Sequence, residues 1–180
     1  MPVSKVLGDT KSEQIETMEE QENIRINMFR DSPWPGKVLS NFAETPFELD
    51  GVKCKCSESF IQSLKVKNRN DQKAFCLLSG LEAWEKGSEL TKSIFITGKI
   101  WWCGIPYILH SPEHFELVRR GLLAKFLQSP EAKDALLATE NAKLVHDYGQ
   151  ALGKKQSLPV DVFCKIVTEI RSVLVSEKNA

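Results

Sequence analysis

The tripeptide Ser-Pro-Glu occurs twice, as Ser111-Pro112-Glu113 and Ser129-Pro130-Glu131, and each copy reads as a helix start. Ser can accept from the free N–H groups of a first turn, and Pro fits the position where its missing N–H is not needed. The acid faces the positive end of the helix dipole. Behind the first start, Phe115, Val118, Leu122 and Phe126 recur at the helical period. From about Pro159 to Val175 the same habit returns in Val162, Phe163, Ile166, Val167, Ile170, Val173 and Leu174. Further helices are predicted from Ser57, as N-cap, to about Val66, from Asn70 to Ser79, and from Leu81 to about Ser93, punctuated by Gly80 and Gly87. Ser93-Ile-Phe-Ile-Thr97 reads as a short strand or an irregular buried segment. Strand signals are few. Ile24, Ile26 and Met28 alternate with polar neighbours or Phe29, and residues 46–54 read as a hairpin turning on Asp50-Gly51. The fold class is mainly α: a single compact helical domain over residues 23–180 with a small N-terminal β element.

Composition narrows the function. Lys plus Arg equals Asp plus Glu, 24 each, which excludes nucleic-acid binding through bulk positive charge but leaves room for a nucleotide in a pocket. Residues 1–22 carry Asp9, Glu13, Glu16, Glu19, Glu20 and Glu22 against Lys5 and Lys11, the pattern of a disordered acidic tail. No apolar run reaches the ~18 residues of a membrane span, and the N-terminus lacks a signal-peptide core, so a cytoplasmic location is expected. Five scattered cysteines without C-x-x-C read as reduced thiols. Cys54 and Cys56 are expected to alternate on a strand and share a face.

Several chemistries fall away. His110-Ser-Pro-Glu113-His114 has the H-x-x-E-H order of a zinc protease, but Pro112 starts a helix there and leaves His110 outside it. No metal is implied. G-x-S-x-G, G-x-G-x-x-G and G-x-x-x-x-G-K are all absent, and with them the expectation of a cofactor. Glu58, Gln62 and Lys65, at i, i+4 and i+7, align on one helix face. By spacing alone such a row is either a solvated face or a site. Trp34 and Ser40-Asn41-Phe42 gather shortly before it. As a site, the row suits glycosidic chemistry. Glu deprotonates a water beside an anomeric carbon, a desolvated Lys attacks a sugar aldehyde, and Gln holds ribose hydroxyls.

Leu39-Ser40-Asn41-Phe42, Pro46-Phe47, Asp50-Gly51 and Ser57-Glu58-x-x-x-Gln62-x-x-Lys65, in this order and with these gaps, resemble the NADAR family, also called YbiA-like. Leu122-Leu-Ala-Lys125-Phe126-x-Gln128, Leu136-Leu-Ala-Thr139 and Lys143-Leu-Val145 are similar to its later helices, so the resemblance spans about residues 26–174. It implies a mostly α-helical fold and N-glycosidase activity on a ribosylated base or ADP-ribose adduct, including ADP-ribosylated guanine in nucleic acid and phosphoribosylated intermediates of riboflavin synthesis. Glu58 and Lys65 would be the catalytic pair, while Asn41, Phe42 and Gln62 would hold the ligand; Trp34 and Ser40, gathered beside them in the chain, are expected to bind substrate as well.

The chain departs from the pattern at its C-terminal half. Cys54 stands where an aromatic is usual, and His110 or Ser111 where a Trp leads into the long helix. His146-Asp147-Tyr148-Gly149 replaces an Asp followed by Trp-Gly, and Asp161 stands for an Asn. Asp147 is the expected third catalytic residue, with Asp161 as its alternative. A carboxylate from either at the Glu58–Lys65 face would favour hydrolysis. Phe163 in that place would favour a catalytically impaired nucleotide-binding module. Trp101 and Trp102 are expected to point to opposite faces of a strand.

Overall fold

The computed structural model describes residues 24–149 and 155–178; the acidic tail expected over residues 1–22 lies outside them. Seven helices are present among these residues: α1 (Gly36–Leu39), α2 (Ser57–Ser63), α3 (Arg69–Cys76), α4 (Gly80–Thr97), α5 (Pro112–Gln128), α6 (Pro130–Leu137) and α7 (Val160–Lys178). Both Ser-Pro-Glu segments start helices. Ser111 Oγ accepts from His114 N–H, and Ser129 Oγ from Ala132 N–H. No helix among the described residues is long and apolar enough to cross a membrane.

The strands are not confined to the N-terminal part, as the sequence suggested. β1 (Arg25–Asn27) pairs in parallel with β6 (Lys143–Val145), while β2 (Phe47–Leu49) with β3 (Val52–Cys54), and β4 (Lys99–Trp102) with β5 (Ile105–Ile108), form antiparallel hairpins. The β2–β3 turn puts Asp50 and Gly51 at φ 50° and 76°, both left-handed, as a tight hairpin of this twist requires. Cys103-Gly104 turns the second hairpin in the same way, at 51° and 85°. Cys is an uncommon residue there, which is why the hairpin was not legible.

Other boundaries also move. Ser93 to Thr97 is the last stretch of α4, not a strand, and the helix ends at Gly98 with φ 64°. Ser79 caps α4 through Glu82 N–H, so α3 stops at Cys76, short of Ser79. Cys56, not Ser57, caps α2. Its Sγ accepts from Ser59 N–H, and Ser59 Oγ accepts from Cys56 N–H in return. Cys56 therefore belongs to a helix start and not to the strand of Cys54. α2 ends at Ser63, short of Val66, and Lys65 sits in the turn beyond, its N–H on Gln62 O.

The core gathers around α2. Phe60 is fully buried and meets Phe47 and Trp102 edge-on at 6.0 and 5.1 Å. Burying such a ring contributes roughly 1.5–3 kcal/mol. A Cβ on Gly121 would lie 2.3 Å from the Phe60 ring, so its absence lets α5 rest on that ring. α5 closes over the core with Leu117, Val118, Leu122 and Phe126, and α7 with Phe163, Ile166, Val167, Ile170 and Leu174, while Val173 faces solvent. Trp101 and Trp102 do part company. Trp102 is buried with Nε1 donating to Asp50, and Trp101 is half-buried.

Candidate functional site

Every residue of α2 is buried, so the polar row on it is not a solvated face: Glu58 and Gln62 are each 7% exposed, and Lys65 8%. The row forms one side of a cavity of about 490 Å³. Phe29, Arg30, Asn41 and Phe42 border it on one flank, and Leu81, Trp84, Ser88 and Thr91 of α4 on another. His146, Tyr148, residues 155–158 and Phe163 close it. α4 can approach α2 this closely because Gly87 has no side chain; a Cβ there would meet Gln62 Oε1 at 2.0 Å. The glycine that read as punctuation is a packing contact beneath the site.

The hydrogen bonds fix the row. Gln62 Nε2 donates to Glu58 Oε1 at 2.8 Å, the i, i+4 contact that the spacing foresaw. Glu58 N–H donates to Asn41 O at 2.8 Å, which ties the Ser40-Asn41-Phe42 loop to the first turn of α2. Lys65 Nζ donates to Gly87 O at 3.0 Å and Thr91 Oγ1 at 2.8 Å. Burial raises the Glu58 carboxyl to about 7, against the pull of the Gln62 hydrogen bond and the Lys65 charge. Burial lowers the Lys65 amine to about 8, against the Glu58 charge. Both groups thus change charge close to neutrality, where proton transfer is useful. Asn41 Oδ1, Gln62 Oε1 and Ser57 Oγ are buried with no partner among the described residues, and the first two belong to residues lining the cavity. Unpaired buried acceptors are costly unless a ligand satisfies them.

Five of the eight residues singled out from sequence meet here: Asn41, Phe42, Glu58, Gln62 and Lys65. The other three do not line the cavity. Trp34 is 56% exposed in its Pro-flanked loop. Ser40 is buried outside the cavity, its Oγ accepting from Phe42 N–H at 3.2 Å and its carbonyl from Lys125 Nζ at 3.0 Å, so it shapes the loop instead of facing a ligand. Asp147 points outward because Asn27 clasps its backbone on both sides, at 2.7 and 2.9 Å, and its carboxylate accepts from Gly149 N–H. Asp161 also lies away from the cavity, in a groove with Phe115 and Arg119. Phe163 does line the cavity. Sequence reasoning missed Trp84, Thr91, Tyr148 and His146. Trp84 sits at i−3 from Gly87 on α4, and that pairing was its one local signal. The H-x-x-E-H segment breaks at Pro112 as read; His110 N–H donates to buried His114 Nδ1 at 3.0 Å from outside the helix.

A family model described as bacteriophage protein GP30.3 matches residues 33–172. The chain belongs to the bacteriophage protein GP30.3 family. The uncharacterized 17.1 kDa protein of the Gp30-rIII intergenic region of Enterobacteria phage T4 is 32% identical over 142 residues, covering 78% of this chain and 93% of that protein. Among solved structures, the NMR structure of the E. coli protein YbiA superposes with a TM-score of 0.61 at 24% identity, over 87% of this chain and 88% of that one. The GP30.3 family is of NADAR type, and this member has a YbiA-like fold. The matched span of the GP30.3 family contains Asn41, Glu58, Gln62 and Lys65 as well as the altered segment from His146 to Gly149.

Proposed function

We propose that this GP30.3-family chain is a cytoplasmic N-glycosidase that hydrolyses the bond between ribose and base in a ribosylated base or ADP-ribose adduct. Glu58 carries the proposal. It is a carboxyl buried at a cavity wall, held near 7, with a lysine on the same face and unpartnered amide oxygens beside it. As carboxylate, Glu58 takes a proton from water while the water oxygen bonds to the anomeric carbon. The electron pair of the C–N bond leaves with the base, and the proton on Glu58 then passes to the departing nitrogen. Gln62 and Asn41 offer acceptors to ribose hydroxyls. Lys65, as a cation, balances Glu58; as a free amine it has the lone pair for a Schiff base with an opened sugar. ADP-ribose-like small molecules and ADP-ribosylated guanine in nucleic acid are the substrate candidates that the NADAR likeness supports, and no step draws on a cofactor.

The test is incubation with guanine-ADP-ribosylated DNA and with a phosphoribosylated pyrimidine, following free base or ribose phosphate. Release from either supports the enzyme. A second reading, a nucleotide-binding module without turnover, is favoured by Phe163 at the wall where a second carboxylate was sought. Tight ADP-ribose binding with no release from both substrates would establish that reading in place of the first.

A further inference from the structure

The wall opposite α2 carries a group that the mechanism above leaves idle. Tyr148 is half-buried and lines the same cavity as Glu58. Its ring centroid lies 4.9 Å from that of His146, which packs edge-on against Phe163 at 5.2 Å. His146 Nδ1 is hydrogen-bonded to Met28 O at 2.7 Å, so the ring beneath Tyr148 is anchored to the backbone after β1. Gln156 Nε2 donates to the Tyr148 phenol oxygen. A phenol oxygen can accept one hydrogen bond and still donate its own proton elsewhere. Burial, and then the charge of Glu58, push the Tyr148 phenol up from its ordinary value, so it keeps this proton through the neutral range.

We infer that Tyr148 is a ligand-contacting residue whose O–H donates to the base of the bound compound, at an acceptor atom next to the glycosidic nitrogen. The inference rests on the N-glycosidase reading and narrows its substrates to bases with a carbonyl oxygen or ring nitrogen in that position. In the hydrolytic step Tyr148 keeps its proton. Its hydrogen bond stabilises the negative charge that develops on the leaving base until the proton from Glu58 arrives. The phenol thus stabilises the departing group from the wall where a carboxylate was sought.

Tyr148→Phe keeps the ring against His146 and removes only the donor. The measurements are single-turnover base release from an ADP-ribosylated guanine oligonucleotide, and calorimetric binding of that adduct and of free ADP-ribose. Base release falls about tenfold or more while ADP-ribose affinity stays within about threefold, as for a hydrogen bond that matters in the transition state. A release rate within about twofold of wild type overturns the inference and leaves the enzyme reading intact. Should the wild-type chain release no base, the enzyme reading falls and adduct binding decides. An affinity loss of about tenfold for the adduct, absent for ADP-ribose, upholds Tyr148 as a base contact, and equal affinities overturn it. If the wild-type chain binds neither ligand, both readings fall. Gln156→Leu, which removes the donor orienting the phenol, gives the same test should Tyr148→Phe lose its fold.

Discussion

The two walls of the cavity are built by different means. On the α2 wall, Glu58 and Gln62 sit one helical turn apart, bonded to each other, with Lys65 in the turn just beyond and every residue of the helix buried. On the facing wall, His146 is held by Met28, and Gln156 by both Tyr148 and His110 Nε2, the last at 2.9 Å, while Asn27 clasps the backbone of outward-pointing Asp147 between them. The first wall is held by secondary structure inside the buried core. The second is held by side chains reaching across long sequence separations, so single substitutions can remodel it. Glu58 and Lys65, which titrate near neutrality, lie on the first wall, and His146 and Tyr148 of the segment that departs from the NADAR pattern lie on the second. On the proposed function, proton chemistry and ligand choice are thus separable in this fold.

The largest effect that would break this contrast is at Glu58. Glu58→Gln, nearly isosteric, abolishes base release by about three orders of magnitude while ADP-ribose binding stays within several-fold. A variant that releases base at wild-type rate would remove the first wall from the chemistry. Next comes Gly87→Ala, whose Cβ collides with Gln62. It destabilises the fold by about 1–3 kcal/mol, as overpacking does, and weakens ligand binding; urea unfolding with calorimetry measures both.

The pH dependence sharpens the same wall. Glu58 is raised from 4.5 to about 7 in the folded chain, so the native state holds the proton more tightly than the unfolded one. Its stabilising contribution is complete below 4.5 and falls away as pH rises to about 7. Urea midpoints at about pH 5 and about pH 8 show this decline in wild type, and it is smaller in Glu58→Gln. Activity runs the other way, rising through about 7 as the carboxylate forms. Above about 8 it falls if Lys65 acts as a cation and climbs further if it acts as a free amine. The smallest effect is Asp147→Asn, which leaves base release within about twofold, because the outward carboxylate is worth little to a distant reaction.

The α2 wall was legible because helical spacing and the NADAR-like motif both act on neighbours in sequence. What stayed hidden is non-local. Lys65 shows its role through Gly87 O and Thr91 Oγ1, and nothing near Lys65 announces either. Asp147 looked catalytic by its place in the motif, but a backbone clasp by Asn27, 120 residues away, turned it outward. Ser40 and Trp34 were drawn in by proximity along the chain, and proximity does not fix where a side chain points. The cap at Cys56 escaped because Ser57, the better capping residue, stands next to it. The mainly helical class was readable from start signals and periodicity alone. The second hairpin and the β1–β6 pairing were not, since one turns on a cysteine and the other joins Arg25–Asn27 to the distant Lys143–Val145.

That parallel pairing also sets when the pocket comes into being. His146 and Met28 are 118 residues apart, so the facing wall cannot close until the chain has been synthesised past β6. A ribosome-bound fragment ending before β6 lacks His146, Tyr148 and Phe163, and with them this side of the cavity. Contacts of such separation form late and slowly. On the proposed function, ligand capture therefore requires the segments on both sides of this pairing to be folded together.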